Sequence, residues 1–153
     1  MKNIKKVLCV CKGNSDRSPV MAAILNMFLK SAGYSDAVVE SAGILDVAEK
    51  GTAGKFAVLA CKRFGIDISG HQRRRTTSLN LADYDLIICA EGAVVEEVIK
   101  QNGVAVQNVF DAAIANPWPV HFAEQYEGAF ELILVAMARI MKFYFTPVEQ
   151  PTQ

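Results

Sequence analysis

The sequence predicts an α/β fold: a parallel sheet with helices on both faces and a site at the carboxyl end of its first strand. Three features point there. Short β-branched apolar runs alternate with helix-forming segments, the first run is β-branched and apolar after a charged start as a strand covered on both faces would be, and a short polar loop joins it to a helix opened by Ser18 and Pro19. The 153 residues, 52% hydrophobic and 21% charged, suit a single domain over 1–145, with a polar, proline-containing tail at 146–153.

Each element has its own signal. Residues 4–10, IKKVLCV, read as the first strand. Ser18 is a suitable N-cap, Pro19 fits the first helical position, VMAAILNMFLKSA favours helix throughout, and Gly33 sits where a C-terminal glycine belongs. DAVVESAG (36–43) is a second strand ending in small residues. TAGKFAVLACKRFG (52–65) is a helix with Phe56, Leu59, Ala60 and Phe64 at helical spacing, Lys62 and Arg63 in its last turn, and Gly65 as its stop. DYDLIICA (83–90) is a third strand, AVVEEVIKQNG (93–103) a short helix, and VQNVF (106–110) a fourth strand. The last helix is the most regular: Phe122, Tyr126, Phe130, Ile133, Met137, Ile140 and Tyr144 recur every three or four residues, with Glu124, Glu127, Glu131 and Arg139 between them.

Composition excludes several classes of function. A formal net charge of zero argues against nucleic-acid or membrane-surface partners, which need a sustained basic excess. The apolar run in MKNIKKVLCV is too short for a signal-peptide core, and no run is long enough to span a bilayer. Four cysteines without an export signal read as reduced thiols in a cytoplasm; Cys9, Cys61 and Cys89 read as core residues. His71 and His121 are isolated and no Cys-x-x-Cys pair occurs, so neither a metal nor another cofactor is expected. The arginines of HQRRRTT (71–77) read as a solvated face.

Cys11 stands apart from the other thiols. Cys11-Lys12-Gly13-Asn14-Ser15-Asp16-Arg17 joins a strand to a helix N-terminus, where unpaired N–H groups and the helix dipole favour an anion. The same field favours thiolate over thiol at Cys11, and Arg17 adds a planar cation able to grip two oxygens of a phosphate. Gly13 lets the backbone approach the anion, Asn14 can hold the loop through its side chain, and the Ser18 hydroxyl can donate to the sulfur. Lys12 to Arg17 thus form a phosphate-binding ring around a nucleophile. A carboxylate pointing inward from Asp16 would repel the anion, so Asp16 is expected to turn towards solvent or a nearby cation.

VLCVCKGNSDRSP resembles the phosphate-binding loop of the low-molecular-weight protein tyrosine phosphatases, a family sharing its fold with thiol-dependent arsenate reductases. VESAG (39–43), RFGIDISGHQRR (63–74), DYDLIICAE (83–91) and NPWP (116–119) extend the likeness in the expected order. The resemblance implies a three-layer fold with a four-stranded parallel sheet of flavodoxin-like type. It further implies Cys11 as the nucleophile that forms a phosphocysteine, Arg17 as the clamp on the phosphoryl oxygens, and Ser41 bracing the loop beside Asn14. The implied partners are a phosphorylated protein or a small aryl phosphate, with phosphate or another oxyanion in the loop.

Three positions depart from that pattern. The general acid of the family is an aspartate before a proline, and here that position is Asn116, whose amide cannot supply the proton. Asp111, five residues upstream, or water would have to substitute. The loop at 44–54 carries no aromatic wall, leaving Trp118 either to wall the pocket or to pack beneath its loop. Cys89 stands about where the arsenate reductases keep a second thiol, but the next expected thiol is Glu96. A slowed phosphatase is therefore the leading expectation, with an arsenate reductase or a noncatalytic phosphate or phosphoprotein binder as alternatives.

Overall fold

The computed structural model describes residues 3–101, 103–118, 120 and 123–145. His121, Phe122, Pro119 and the expected tail at 146–153 lie outside the described residues.

Strand β1 (Lys6–Cys11) is one of the two inner strands of the sheet, and Val7 to Val10 have no exposed surface. It pairs in parallel with β2 (Val38–Gly43) on one side and β3 (Leu86–Cys89) on the other; β3 in turn pairs with β4 (Val109–Asp111). The order β2-β1-β3-β4 makes the gap between β1 and β3 the point where the chain changes direction across the sheet. Ligands of open parallel sheets bind there, outside the carboxyl ends of the strands.

Alternation along β1 divides the core. Val7, Cys9 and Cys11 join Leu86 and Ile88 against α1 (Ser18–Ser31), α2 (Lys55–Lys62) and α4 (Ala123–Tyr144). Leu8 and Val10 join Ile87 and Cys89 against α3 (Gly92–Ile99) on the opposite face. The expected three-layer α/β architecture is therefore present, with a four-stranded all-parallel sheet. In α4 the predicted stripe is realised: Tyr126, Phe130, Ile133, Met137 and Ile140 are buried.

Several boundaries differ from the expectations, each for a local reason. The N-cap of α1 is Arg17 rather than Ser18, which becomes the first helical residue because its hydroxyl is engaged elsewhere. The helix ends as expected: Gly33 adopts φ +88, and the N–H groups of Gly33 and Tyr34 return to the carbonyls of Lys30 and Leu29. Helix α2 is confined to 55–62, and its packed face is Ala57, Ala60 and Cys61, whereas Leu59 and Phe64 are 46% and 49% exposed. Small residues let α2 lie close against its neighbours, so the large apolar side chains turn away from that contact. Helix α3 begins at Gly92 and stops at Ile99, and short 3₁₀ turns at Leu81–Asp83 and Val106–Asn108 occupy the ends expected of the third and fourth strands.

Gly43 is required by the fold of the site. A Cβ there would lie 2.6 Å from the Ala48 Cβ, 2.7 Å from the Lys12 oxygen and 2.9 Å from the Asn14 nitrogen, so the loop after β1 rests directly on this glycine.

Adjacent residues of α4 separate packing from exposure. Ile133→Ala, at a fully buried position, is expected to lower unfolding free energy by about 2–5 kcal/mol in denaturant titration. Leu132→Ala, at a position 49% exposed, should cost less than about 1 kcal/mol.

Candidate active site

The chain leaving β1 at Cys11 turns back into α1 through a loop that Asn14 holds in place. Asn14 is fully buried with φ 55, a left-handed conformation that asparagine tolerates better than most residues. Its Nδ2 donates to Ser18 Oγ at 2.8 Å and Ser41 Oγ at 3.0 Å, while its Oδ1 accepts the Arg74 backbone N–H at 2.9 Å. The Asn14 carbonyl lies 3.0 Å from His71 Nε2. Because a carbonyl only accepts, that nitrogen carries a proton; burial holds the ring below the usual histidine range, so it donates as neutral imidazole.

The bracing converges on Cys11. The Asn14 N–H donates to Cys11 Sγ at 3.3 Å, and Ser18 Oγ lies 3.0 Å from the same sulfur. Ser18 also donates to the Ala42 carbonyl at 3.2 Å. Its single proton has two acceptors, so it can swing from the carbonyl to an anionic sulfur without a change in side-chain position. Helix α1 has no side-chain cap, which leaves its first N–H groups free for an oxyanion above the sulfur.

Arg17 is 2% exposed, and its Nη1 donates to Glu91 Oε2 at 2.8 Å and to the Ile114 carbonyl at 2.7 Å. Glu91, two residues beyond the end of β3, also pairs with Lys12 Nζ at 3.2 Å. Burial would raise the Glu91 carboxyl, but the hydrogen bonds and charges of Arg17 and then Lys12 outweigh it and hold the group below its usual range. The carboxylate fixes the direction of the guanidinium and keeps two cations beside the loop.

A cavity of about 370 Å³ opens over the loop, with Cys11, Lys12, Gly13, Ser15, Asp16 and Arg17 at its base. Leu45, Val47, Arg73, Asn116 and Trp118 complete its lining. Trp118 is 72% exposed, so it walls the opening and does not pack beneath its loop. Gly13 lies against Val47, whose Cγ2 would be 3.4 Å from an added Cβ. Asn116 Oδ1 accepts the Trp118 N–H at 3.2 Å, which orients the amide at the mouth. Asp111 does not line the cavity; its Oδ1 accepts the Ala113 N–H at 2.8 Å.

One expectation is narrowed and one corrected here. Of the two directions expected for Asp16, solvent is not taken: its carboxylate packs against Gly54, where any Cβ would collide with it, within the field of Arg73 and Arg17, and Tyr126 OH donates to the Asp16 carbonyl. Burial raises this carboxyl above its usual range despite the opposing Ser15 hydrogen bond and the charges of Arg73 and Arg17. The 73–75 arginines are not a solvated face. Arg73 Nε donates to the Thr52 carbonyl at 2.7 Å, Arg74 reaches the Ser41 carbonyl at 3.0 Å and Glu40 at 2.7 Å, and Arg75 pairs with Asp46 at 2.7 Å. They tie the loops around the site to one another.

Sequence reasoning missed Glu91 and the role of His71. A carboxylate just beyond β3, beside the end of β1 across a topological switch point, is the signal that could have found Glu91. The other thiols are apart from this chemistry: burial pushes Cys61 up to about 11, and burial followed by the Asp111 charge pushes Cys89 up to about 12. Cys89 pairs in register with Val10 and faces the α3 side, whereas Cys11 faces the α1 side.

Comparison with known proteins agrees with this geometry. The family model for low molecular weight phosphotyrosine protein phosphatase matches residues 6–115. A probable low molecular weight protein-tyrosine-phosphatase, EpsP of Ralstonia nicotianae, is 32% identical over 136 residues, covering 85% of this chain and 89% of that protein. A glutaredoxin arsenate reductase of Synechocystis is 34% identical over 85 residues, 56% of this chain and 59% of its own. The structure of Vibrio vulnificus Wzb in complex with benzylphosphonate superposes with a TM-score of 0.77 at 25% identity, over 92% of this chain and 99% of the other.

Asp16 gives a test in pH. Its carboxyl is raised above the ordinary 3.8 in the folded chain, so the unfolded chain loses this proton first and stability falls as pH rises through that window. Asp16→Asn removes the penalty: the variant is expected to unfold at higher denaturant than wild type at pH 7, with the difference shrinking towards zero near pH 3. Matched urea titrations at the two pH values measure it.

Proposed function

The chain belongs to the low molecular weight phosphotyrosine protein phosphatase family and is an enzyme of the phosphomonoesterase type; from that premise we propose that it hydrolyses aryl phosphates, protein phosphotyrosine foremost, through a phosphocysteine on Cys11. The observation that carries this reading is the convergence on one sulfur of the Asn14 N–H at 3.3 Å and the Ser18 hydroxyl at 3.0 Å, beside the buried cation of Arg17. A site built only to hold phosphate needs the amides and the guanidinium, but not a thiol with donors trained on it.

In the proposed sequence Cys11 Sγ attacks phosphorus as the bond to the aryl oxygen breaks, and the leaving oxygen departs as an anion or takes its proton from water. The developing equatorial charge falls to the loop N–H groups and to Arg17, aimed by Glu91. Ser18 then directs its proton to the sulfur as water hydrolyses the S–P bond and the thiolate leaves. Leu45, Val47 and Trp118 give a cavity with aliphatic and aromatic sides for the aryl ring. Benzylphosphonate in the Vibrio vulnificus structure pairs an oxyanion with an aromatic ring, which supports the same class of ligand here.

The proton is the weak step. Asn116 stands at the mouth of the cavity as a neutral amide, and Asp111 is engaged with the Ala113 N–H outside the lining. General acid catalysis is worth roughly 10²–10⁴-fold, so a leaving group that departs as an anion is favoured over tyrosine. Against arsenate reduction stand Cys89, buried on the opposite face of the sheet from Cys11, and Glu96 where a third thiol is expected. The free state of Cys9, Cys11, Cys61 and Cys89 supports a reducing, cytoplasmic setting.

Hydrolysis of p-nitrophenyl phosphate and of a phosphotyrosine peptide by wild type, Cys11→Ser and Asn116→Asp tests the reading. Wild type should cleave the activated ester and Cys11→Ser neither substrate. Asn116→Asp should raise kcat/KM on the peptide at least about tenfold and on p-nitrophenyl phosphate much less. Phosphate binding without turnover of either ester by any variant would leave the noncatalytic binder as the answer.

A further inference from the structure

A second cavity, of about 380 Å³, adjoins the cradle and shares Ser15, Asp16, Arg73 and Trp118 with it. Lys55 and Phe56, at the start of α2, complete its far side. Its charges set it apart from the rest of the site. Lys12 and Arg17 share Glu91, Arg74 pairs with Glu40, and Arg75 pairs with Asp46 and Glu49. Among the described residues no carboxylate comes within ion-pair distance of Arg73 or Lys55.

Arg73 is nevertheless held in place. Its Nε donates to the Thr52 carbonyl at 2.7 Å, its backbone N–H donates to the Gly51 carbonyl at 2.9 Å, and its side chain lies over Gly51, where a Cβ would be 3.2 Å from Cδ and Nε. Lys55 is exposed, with its Nζ 5.1 Å from the centre of the Phe56 ring. The two cations therefore flank the cavity without a carboxylate of their own, one fixed and one free to reach. The opposing charge is Asp16, which lines the same cavity with its carboxylate against Gly54; burial raises this carboxyl above its usual range, against the charges of Arg73 and Arg17.

We propose that this cavity is a subsite for an acidic residue next to the phosphorylated residue of a protein substrate, its carboxylate taken by Arg73 and Lys55 with Trp118 alongside the intervening chain. The proposal rests on the phosphatase reading of the adjoining cradle. An extended chain advances about 3.3–3.6 Å per residue, so a side chain one or two positions from the phosphorylated residue reaches a cavity that shares its wall. Selectivity for the sequence around the phosphate would then come from charge, complementing an aryl pocket walled by a single aromatic residue.

The test uses phosphotyrosine peptides identical except for Glu, Gln or Lys at each position from two before to two after the phosphotyrosine. At low salt wild type should favour the best Glu peptide over its Gln counterpart by about two- to fivefold in kcat/KM, with Lys lower still, and the preference should shrink at high salt. Arg73→Gln should reduce the preference. Because Arg73 also holds the Thr52 carbonyl, Lys55→Glu is the cleaner variant, and it should reverse the order in favour of Lys. Calorimetric binding of the same peptides to Cys11→Ser separates subsite from catalysis: the same order of affinities without wild-type turnover would support the subsite and overturn only the catalytic reading. Equal values for the three peptides, or a Glu preference that survives Lys55→Glu, would overturn the subsite.

Discussion

The buried amide of Asn14 is the constraint on which the rest of the site depends. At φ 55 the backbone turns where an L-residue pays about 1–2 kcal/mol, and it stays there because the side chain is fixed at both ends: Nδ2 on two serine hydroxyls, Oδ1 on the Arg74 N–H. Those partners come from α1, from β2 and from the segment after α2, so one side chain joins three parts of the chain under the loop. The orientation of Ser18, and the N–H that Asn14 directs at Cys11, follow from it. Gly43 supplies the floor by having no side chain, and His71 holds the Asn14 carbonyl from above.

A second requirement is electrostatic. A guanidinium as buried as that of Arg17 is costly unless it is paired, and Glu91 with the Ile114 carbonyl meets that need from the end of β3. The arrangement works only because β1 and β3 are neighbours, so that the loop after one meets the carboxylate after the other. Sheet order, far from being a neutral scaffold, decides which residues can pair at the site. Net positive charge remains at the base and rim, where an oxyanion and an acidic chain would be received.

Much of this was legible in the sequence because the signals were local. The uninterrupted apolar run before Cys11 and the regular stripe of the last helix each predicted an element that the fold contains. Cys11, Asn14, Arg17, Ser18 and Ser41 come together as the cradle motif and its resemblance implied. Side-chain direction was less legible. Ser18 looked like a cap because its type and place suit one, but competition from Ala42 and Cys11 for its hydroxyl is set by tertiary contact. Leu59 and Phe64 have helical spacing, yet a close helix contact selected the small face instead. The 73–75 arginines appeared solvent-bound, and Asp16 had either solvent or a cation open to it, because a charged run has no local sign of the carbonyls and carboxylates that will meet it. Glu91 escaped notice because its importance depends on which strand lies beside β1.

The central claim is that Cys11, alone among the four thiols, is a nucleophile at the base of an anion-binding cradle. Alkylation by iodoacetamide at neutral pH, with modified sites located by mass spectrometry and repeated across a phosphate titration, tests it directly. Cys11 is expected to react first while Cys9, Cys61 and Cys89 stay unmodified in the folded chain, and phosphate should slow the reaction in a saturable way. Modification of Cys11 at a rate indifferent to phosphate, or reaction of the buried thiols as fast as Cys11, would contradict it.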